Sequence, residues 1–112
     1  MDVAKIQQHL QANFETDLED IRAFLRQPSI SYTGEGIKEA GEWIIRWIES
    51  LGGTARLVPV EGGYHPVVYG RVDSGAPRTL LIYGMYDIMP ADEPGWIAPP
   101  FAAEIHDWED QG

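Results

Sequence analysis

The period of the apolar residues changes once along this chain, at Gly52-Gly53, and that change sets the class of fold. Before it, Val3, Ile6, Leu10, Phe14, Leu18, Ile21 and Leu25 recur at steps of 3, 4, 4, 4, 3 and 4, which lays one apolar stripe along a helix. Pro28 lacks an amide donor and disfavours helical geometry in the residue before it, so this helix is expected to stop near Arg26 or Gln27. A loop, Pro28-Ser29-Ile30-Ser31-Tyr32-Thr33-Gly34, follows. The spacing of Ile37, Ala40, Ile44, Ile48 and Leu51 predicts a second helix, with Gly52 placed to end it in a left-handed cap. Trp43 and Trp47 widen its buried face, and core packing is the plain reading of both.

After the glycine pair the pattern is β. Ala55 to Val60 and Pro66 to Val72 read as strands around the turn-rich Glu61-Gly62-Gly63-Tyr64-His65. Thr79 to Tyr83 reads as a third, an uninterrupted apolar run of the kind covered on both faces of a sheet. The expected architecture is therefore α/β, with two amphipathic helices packed on a mixed β-sheet. From Met89 onward four prolines and Gly95 predict an extended loop that packs through Trp96 and Phe101. The segment from Ala102 to Gly112 resembles the start of another strand and turn without a closing element, which points to a fragment of a larger architecture.

The 112 residues lie within the range of one small domain that could bury a core of its own. A formal charge of -10, from 8 basic and 18 acidic residues, repels phosphate backbones and anionic lipid and so argues against nucleic acid and membrane surfaces as partners. No apolar run approaches the roughly 20 residues that span a bilayer. The first ten residues lack the basic start and continuous apolar core of a secretory signal, so a cytoplasmic location is the default expectation. The absence of cysteine removes disulfides, thiolate nucleophiles and cysteine-type zinc sites together.

Few residues carry a chemical signal. Asp87 follows the Leu80–Tyr83 run and Gly84, and in open α/β sheets ligands bind outside the carboxyl ends of strands. It is a candidate site residue on position alone, with a turn aspartate that ties down its own loop as the alternative. Ser29 and Ser31 have no Gly-X-Ser-X-Gly elbow, and Gly34-X-Gly36 and Gly62-Gly63 lack the spacing of a nucleotide loop. His9 falls beside the stripe of the first helix, and His65 sits in a turn. His106 stands with Asp107, Glu109 and Asp110, a group that could hold a metal or could be a solvated charge run.

Leu80-Leu81-Ile82-Tyr83-Gly84-Met85-Tyr86-Asp87-Ile88-Met89-Pro90-Ala91-Asp92, followed by Trp96 and Pro99-Pro100-Phe101, resembles the first metal-site motif of the dizinc peptidases and deacylases. That superfamily includes carnosinase-type dipeptidases, aminoacylases, carboxypeptidase G and acetylornithine deacetylase, and the motif is closest to the dipeptidase branch. The two helices, the Pro28–Ser31 loop and the Gly52-Gly53 junction extend the likeness over essentially the whole chain, as the amino-terminal part of a catalytic domain. The resemblance implies two zinc ions in the parent enzyme, a small peptide or N-acyl amino acid as substrate, and homo-oligomerisation.

It also places a zinc-binding histidine at the position of Met85 and an aspartate that orients it at Asp87. A thioether is a soft, uncharged donor, poorly matched to zinc. With no imidazole to hold, Asp87 could ligate a metal directly or simply pin its loop. The bridging aspartate, the general base and the remaining ligands of the family have no counterpart in residues 1–112. The chain by itself is thus expected to be inactive, either as a piece of a hydrolase or as a binding module that has lost its metal chemistry.

Overall fold

A computed structural model describes residues 1–107. The chain divides into two compact units, one formed by residues 1–26 with the segment from Gly95 onward, the other by Gln27–Pro94.

In the first unit, helix α1 covers Val3–Leu25, as the stripe predicts. Asp2 caps its start by accepting a hydrogen bond from the amide of Lys5 at 3.3 Å, and Arg26 closes its end. Glu19 joins Arg22 at 3.0 Å and Arg26 at 2.6 Å near that end. The hydrogen bond from Arg26 holds the Glu19 carboxyl below its usual range. Arg22 also donates from Nε to the carbonyl of Ala103 at 2.8 Å, which ties the segment after Gly95 to the helix. No residue of α1 is buried. Phe101 is half-buried as expected, but Trp96 is exposed, so the loop packs through one of its two aromatics. Ala102 to Asp107 forms no strand, and the rest of the expected strand and turn lies outside the described residues.

The second unit contains α2 (Ile37–Ser50), β1 (Thr54–Val58) and β2 (Val67–Arg71). Gly36 precedes α2 with φ 71°, where a Cβ would run into the carbonyl of Pro28. Gly52 takes the left-handed conformation after α2. The strands pair antiparallel, with Thr54 opposite Arg71 and Val58 opposite Val67. Ala55, Leu57 and Val68 turn to one face of this hairpin and are half-buried, while Arg56 lies over the ring of its cross-strand partner Tyr69 on the other, 5.8 Å from the centroid.

Helix α2 packs on that inner face, and glycine sets how closely. A Cβ on Gly41 would lie 2.8 Å from Leu57 Cδ2, and one on Gly70 would lie 2.6 Å from Ile48 Cδ1. Trp43 and Trp47 meet edge to face at 5.3 Å, with Trp43 half-buried and Trp47 exposed.

Two expectations change. The class and the order of helices and strands stand, but Thr79–Tyr83 forms no strand. Leu80, Leu81, Ile82 and Tyr83 are 82, 87, 83 and 86% exposed. An apolar run specifies that both faces want cover, yet a strand also needs a neighbour to bond, and no strand among the described residues lies beside it. The core is correspondingly small: Ile37 and Ala40 are the buried apolar residues among those described.

Candidate functional site

The segment that carries Met85 and Asp87 is held from one side. Ile88 forms a parallel bridge with Ile30, in which its amide donates to the carbonyl of Ser29 at 2.9 Å and its carbonyl accepts from the amide of Ser31 at 3.0 Å. The Ser31 hydroxyl donates to the same carbonyl, also at 3.0 Å. Two residues earlier, Tyr86 donates its phenolic hydrogen to the carbonyl of Pro66 at 2.6 Å, and its oxygen lies 3.8 Å from where a Cβ on Gly41 would be. Burial pushes the Tyr86 hydroxyl up from the ordinary phenol range, and the negative charge of Asp87 pushes it the same way.

Side chains alternate along an extended segment, so the half-buried Tyr86 side chain leaves its neighbours Met85 and Asp87 on the other side, while Ile88, bonded through its backbone, is itself 40% exposed. Met85 and Met89 are 81 and 74% exposed, and Asp87 is exposed between them. The two positions singled out by the motif thus share the open side of the segment.

His65 is the histidine brought to this region. Its Nε2 lies 2.7 Å from the carbonyl of Ser31, and because a carbonyl only accepts, Nε2 carries the hydrogen. Ser31 therefore joins His65 on one side to Ile88 on the other. His9 instead contacts Asn13 on its own helix. His106 pairs with Glu104 at 3.3 Å, while Glu109 and Asp110 of the acidic group fall outside the described residues. Tyr86 and Ser31 were not marked as site residues by sequence. The signal for Tyr86 was its place next to Asp87 on an alternating segment; Ser31 had none, since its role depends on a partner 57 residues away.

The donor set falls short of the dizinc centre that the resemblance implies. Among the described residues no group of three or more histidine, aspartate or glutamate side chains is gathered in one place. What the segment offers is the exposed carboxylate of Asp87 and the exposed thioethers of Met85 and Met89. Zinc prefers four donors of the imidazole, thiolate or carboxylate type, so the residues present do not fit it.

No model of a protein family matches the sequence. Acetylornithine deacetylase from Erwinia tasmaniensis is 32% identical over 95 residues, which cover 80% of this chain and 24% of the relative. The enzyme of the same name from Klebsiella pneumoniae is 29% identical over 99 residues, covering 85% and 26%. The crystal structure of an M20 family metallo-carboxypeptidase from Sulfolobus solfataricus matches with a TM-score of 0.71 and 42% identity, over 80% of this chain and 21% of that one. The chain spans about a quarter of the length of the curated relatives it matches. Matched in sequence to deacetylases and in backbone to a metallo-carboxypeptidase, the chain belongs to the M20 peptidase and deacetylase superfamily.

Proposed function

We propose that residues 1–112 are the amino-terminal piece of one larger catalytic domain, from a metal-dependent amide hydrolase of the dipeptidase or N-acyl amino acid deacylase type. The piece is inactive alone. The substrate of the parent is a small peptide or an N-acyl amino acid, its cofactor a pair of zinc ions, and its location the cytoplasm. In support, the relatives are named for deacetylation of acetylornithine and for carboxypeptidase action, and both reactions cleave an amide. No described helix is long and apolar enough to cross a membrane, which agrees with that location.

The observation that carries the reading is the outward display of Asp87 from a segment fastened at Tyr86 and Ile88. An aspartate that merely tied down its own loop would spend its carboxylate on local amides. No such bond involves Asp87 among the described residues, and neighbours do the fastening instead. The carboxylate is left to act on something else.

A second reading is favoured by Met85. A scaffold that keeps the hydrolase fold and has lost the imidazole at this position would serve as a binding or assembly module. Metal analysis separates the two. The uninterrupted gene product is purified, its zinc per chain measured, and dipeptides and N-acyl amino acids assayed. Tightly bound zinc with turnover supports the hydrolase, and a metal-free, inactive product supports the module. The Met85→His variant is expected to raise zinc affinity if Asp87 and its neighbours form the rest of a usable site.

A further inference from the structure

His65 and Pro66 are consecutive, and they bond in two directions. The His65 ring donates from Nε2 to the carbonyl of Ser31 at 2.7 Å, and the carbonyl of Pro66 accepts from the Tyr86 phenol at 2.6 Å. The turn before β2 thus grips two other segments of its own unit, one 34 residues earlier and one 20 residues later.

Those two segments are bonded to each other as well. Ser31 donates to the Ile88 carbonyl from both its amide and its hydroxyl, each at 3.0 Å, and the Ile88 amide donates to the carbonyl of Ser29. The bonds close a ring that runs from Ser31 through Ile88, Tyr86, Pro66 and His65 back to Ser31. Asp87 lies inside that ring, between Tyr86 and Ile88, and its own backbone makes no hydrogen bond among the described residues. Its place is set by the links on either side.

In a closed ring each link is oriented by the others, so loss of one loosens the rest. The loop at Ser31 has bonds of its own, from the Ile30 amide to Glu35 at 2.9 Å and from the Gly34 amide to Ile30 at 2.8 Å. Neither of them involves the carbonyl of Ser31. That carbonyl has His65 as its partner among the described residues, and the imidazole lies against the same turn, its Cε1 3.5 Å from where a Cβ on Gly34 would be.

The structure assigns His65 the part of a positioning residue for Asp87. It acts through Ser31, whose two donors hold the Ile88 carbonyl and with it the far end of the stretch that carries the carboxylate. A carboxylate that works on a metal or a substrate has to be held to a fraction of an ångström, which a loop fastened at one end does not do. The effect of His65 on turnover depends on the hydrolase reading above; its effect on the segment depends on the bonds alone.

Two substitutions separate the N–H from the ring. His65→Phe keeps a flat ring and removes the donor, whereas His65→Gln puts an amide N–H the same number of bonds from the backbone. In the 112-residue chain, His65→Phe is expected to speed hydrogen exchange at the Ile88 amide about fivefold, and His65→Gln to restore it to within about twofold. The Ala40 amide, bonded to Gly36 at the start of α2, is expected to exchange as before in both. In the uninterrupted gene product, His65→Phe is expected to lower kcat about tenfold with KM unchanged, and His65→Gln to recover it. Unchanged exchange at Ile88 in His65→Phe, equal loss in both variants, acceleration at Ala40 as large as at Ile88, or a raised KM with kcat kept would each overturn the assignment. A wild-type product without zinc or turnover removes the hydrolase reading instead, and the exchange rates at Ile88 then decide the role of His65.

Discussion

Tyr86 and Pro66 are joined by a 2.6 Å hydrogen bond from the phenol to the carbonyl, and that bond fixes which way Asp87 faces. With the Tyr86 side chain drawn toward the hairpin, Asp87 next to it falls on the opposite, open side, and the backbone of Ile88 fastens the segment to the Ser29–Ser31 loop. The aspartate is displayed by its neighbours.

Replacing Tyr86 by phenylalanine keeps the ring and removes the bond. The Pro66 carbonyl loses its partner, at a cost of about 1 kcal/mol. The measurable result is faster hydrogen exchange at the amides of Ile88 and Ser31, which share the anchored segment. Unchanged protection there would mean that the loop at Ser29–Ser31 holds the segment by itself.

Tyr86 also sets an alkaline limit. Its folded pKa is raised, so the fold favours the neutral phenol. That contribution is fully present below the unfolded value of about 10 and is lost as pH rises through the higher folded value. In an absorbance titration the Tyr86 phenol is expected to ionise above the ordinary phenol range, and Tyr86→Phe to remove that component. An unchanged curve in the variant would contradict this.

At Gly41, two effects of similar size oppose each other. Alanine gains about 1 kcal/mol of helix propensity over glycine, while its Cβ would press on Leu57 Cδ2, the movable end of a side chain. Gly41→Ala is expected to be close to neutral. Gly41→Leu has no such escape between α2 and the hairpin and is expected to cost about 1–3 kcal/mol in urea unfolding.

The isolated chain should unfold with little heat-capacity change. Globular domains give about 12–15 cal/mol/K per residue, from apolar surface that folding hides. Here most large apolar side chains are exposed in the folded chain, from Val3 and Phe14 to Leu80–Tyr83. Calorimetry is expected to show a broad transition well below that range, with strong binding of a hydrophobic dye before it. A sharp transition at the full value would mean that these surfaces are covered in solution.

The acid side has a smaller signature at the end of α1. Glu19 has a depressed folded pKa, so what it contributes is present above its unfolded value and fades as pH falls through the folded one. Helicity of the wild-type chain should therefore drop slightly on acidification, and Glu19→Gln should already show the lower value at neutral pH. Equal helicity of the two at neutral pH would show that the pairs with Arg22 and Arg26 do not act on the helix.

Both helices, their ends at Arg26 and Gly52, and the hairpin after the glycine pair were legible in the order of residues. Each depends on side-chain period, on Pro28, or on a glycine within a few positions, so the cause lies next to its effect. Met85 and Asp87 were legible as a motif for the same reason. Whether Leu80–Tyr83 becomes a strand could not be read there, because a strand is a relation between two segments and its composition names no partner. Nor could the direction of Asp87, which the tertiary structure settles through Pro66 and Ser29–Ser31, all more than 20 residues earlier in the chain. Local chemistry wrote the elements; only contact between distant residues decided which of them were bonded, and which side chains were left facing solvent.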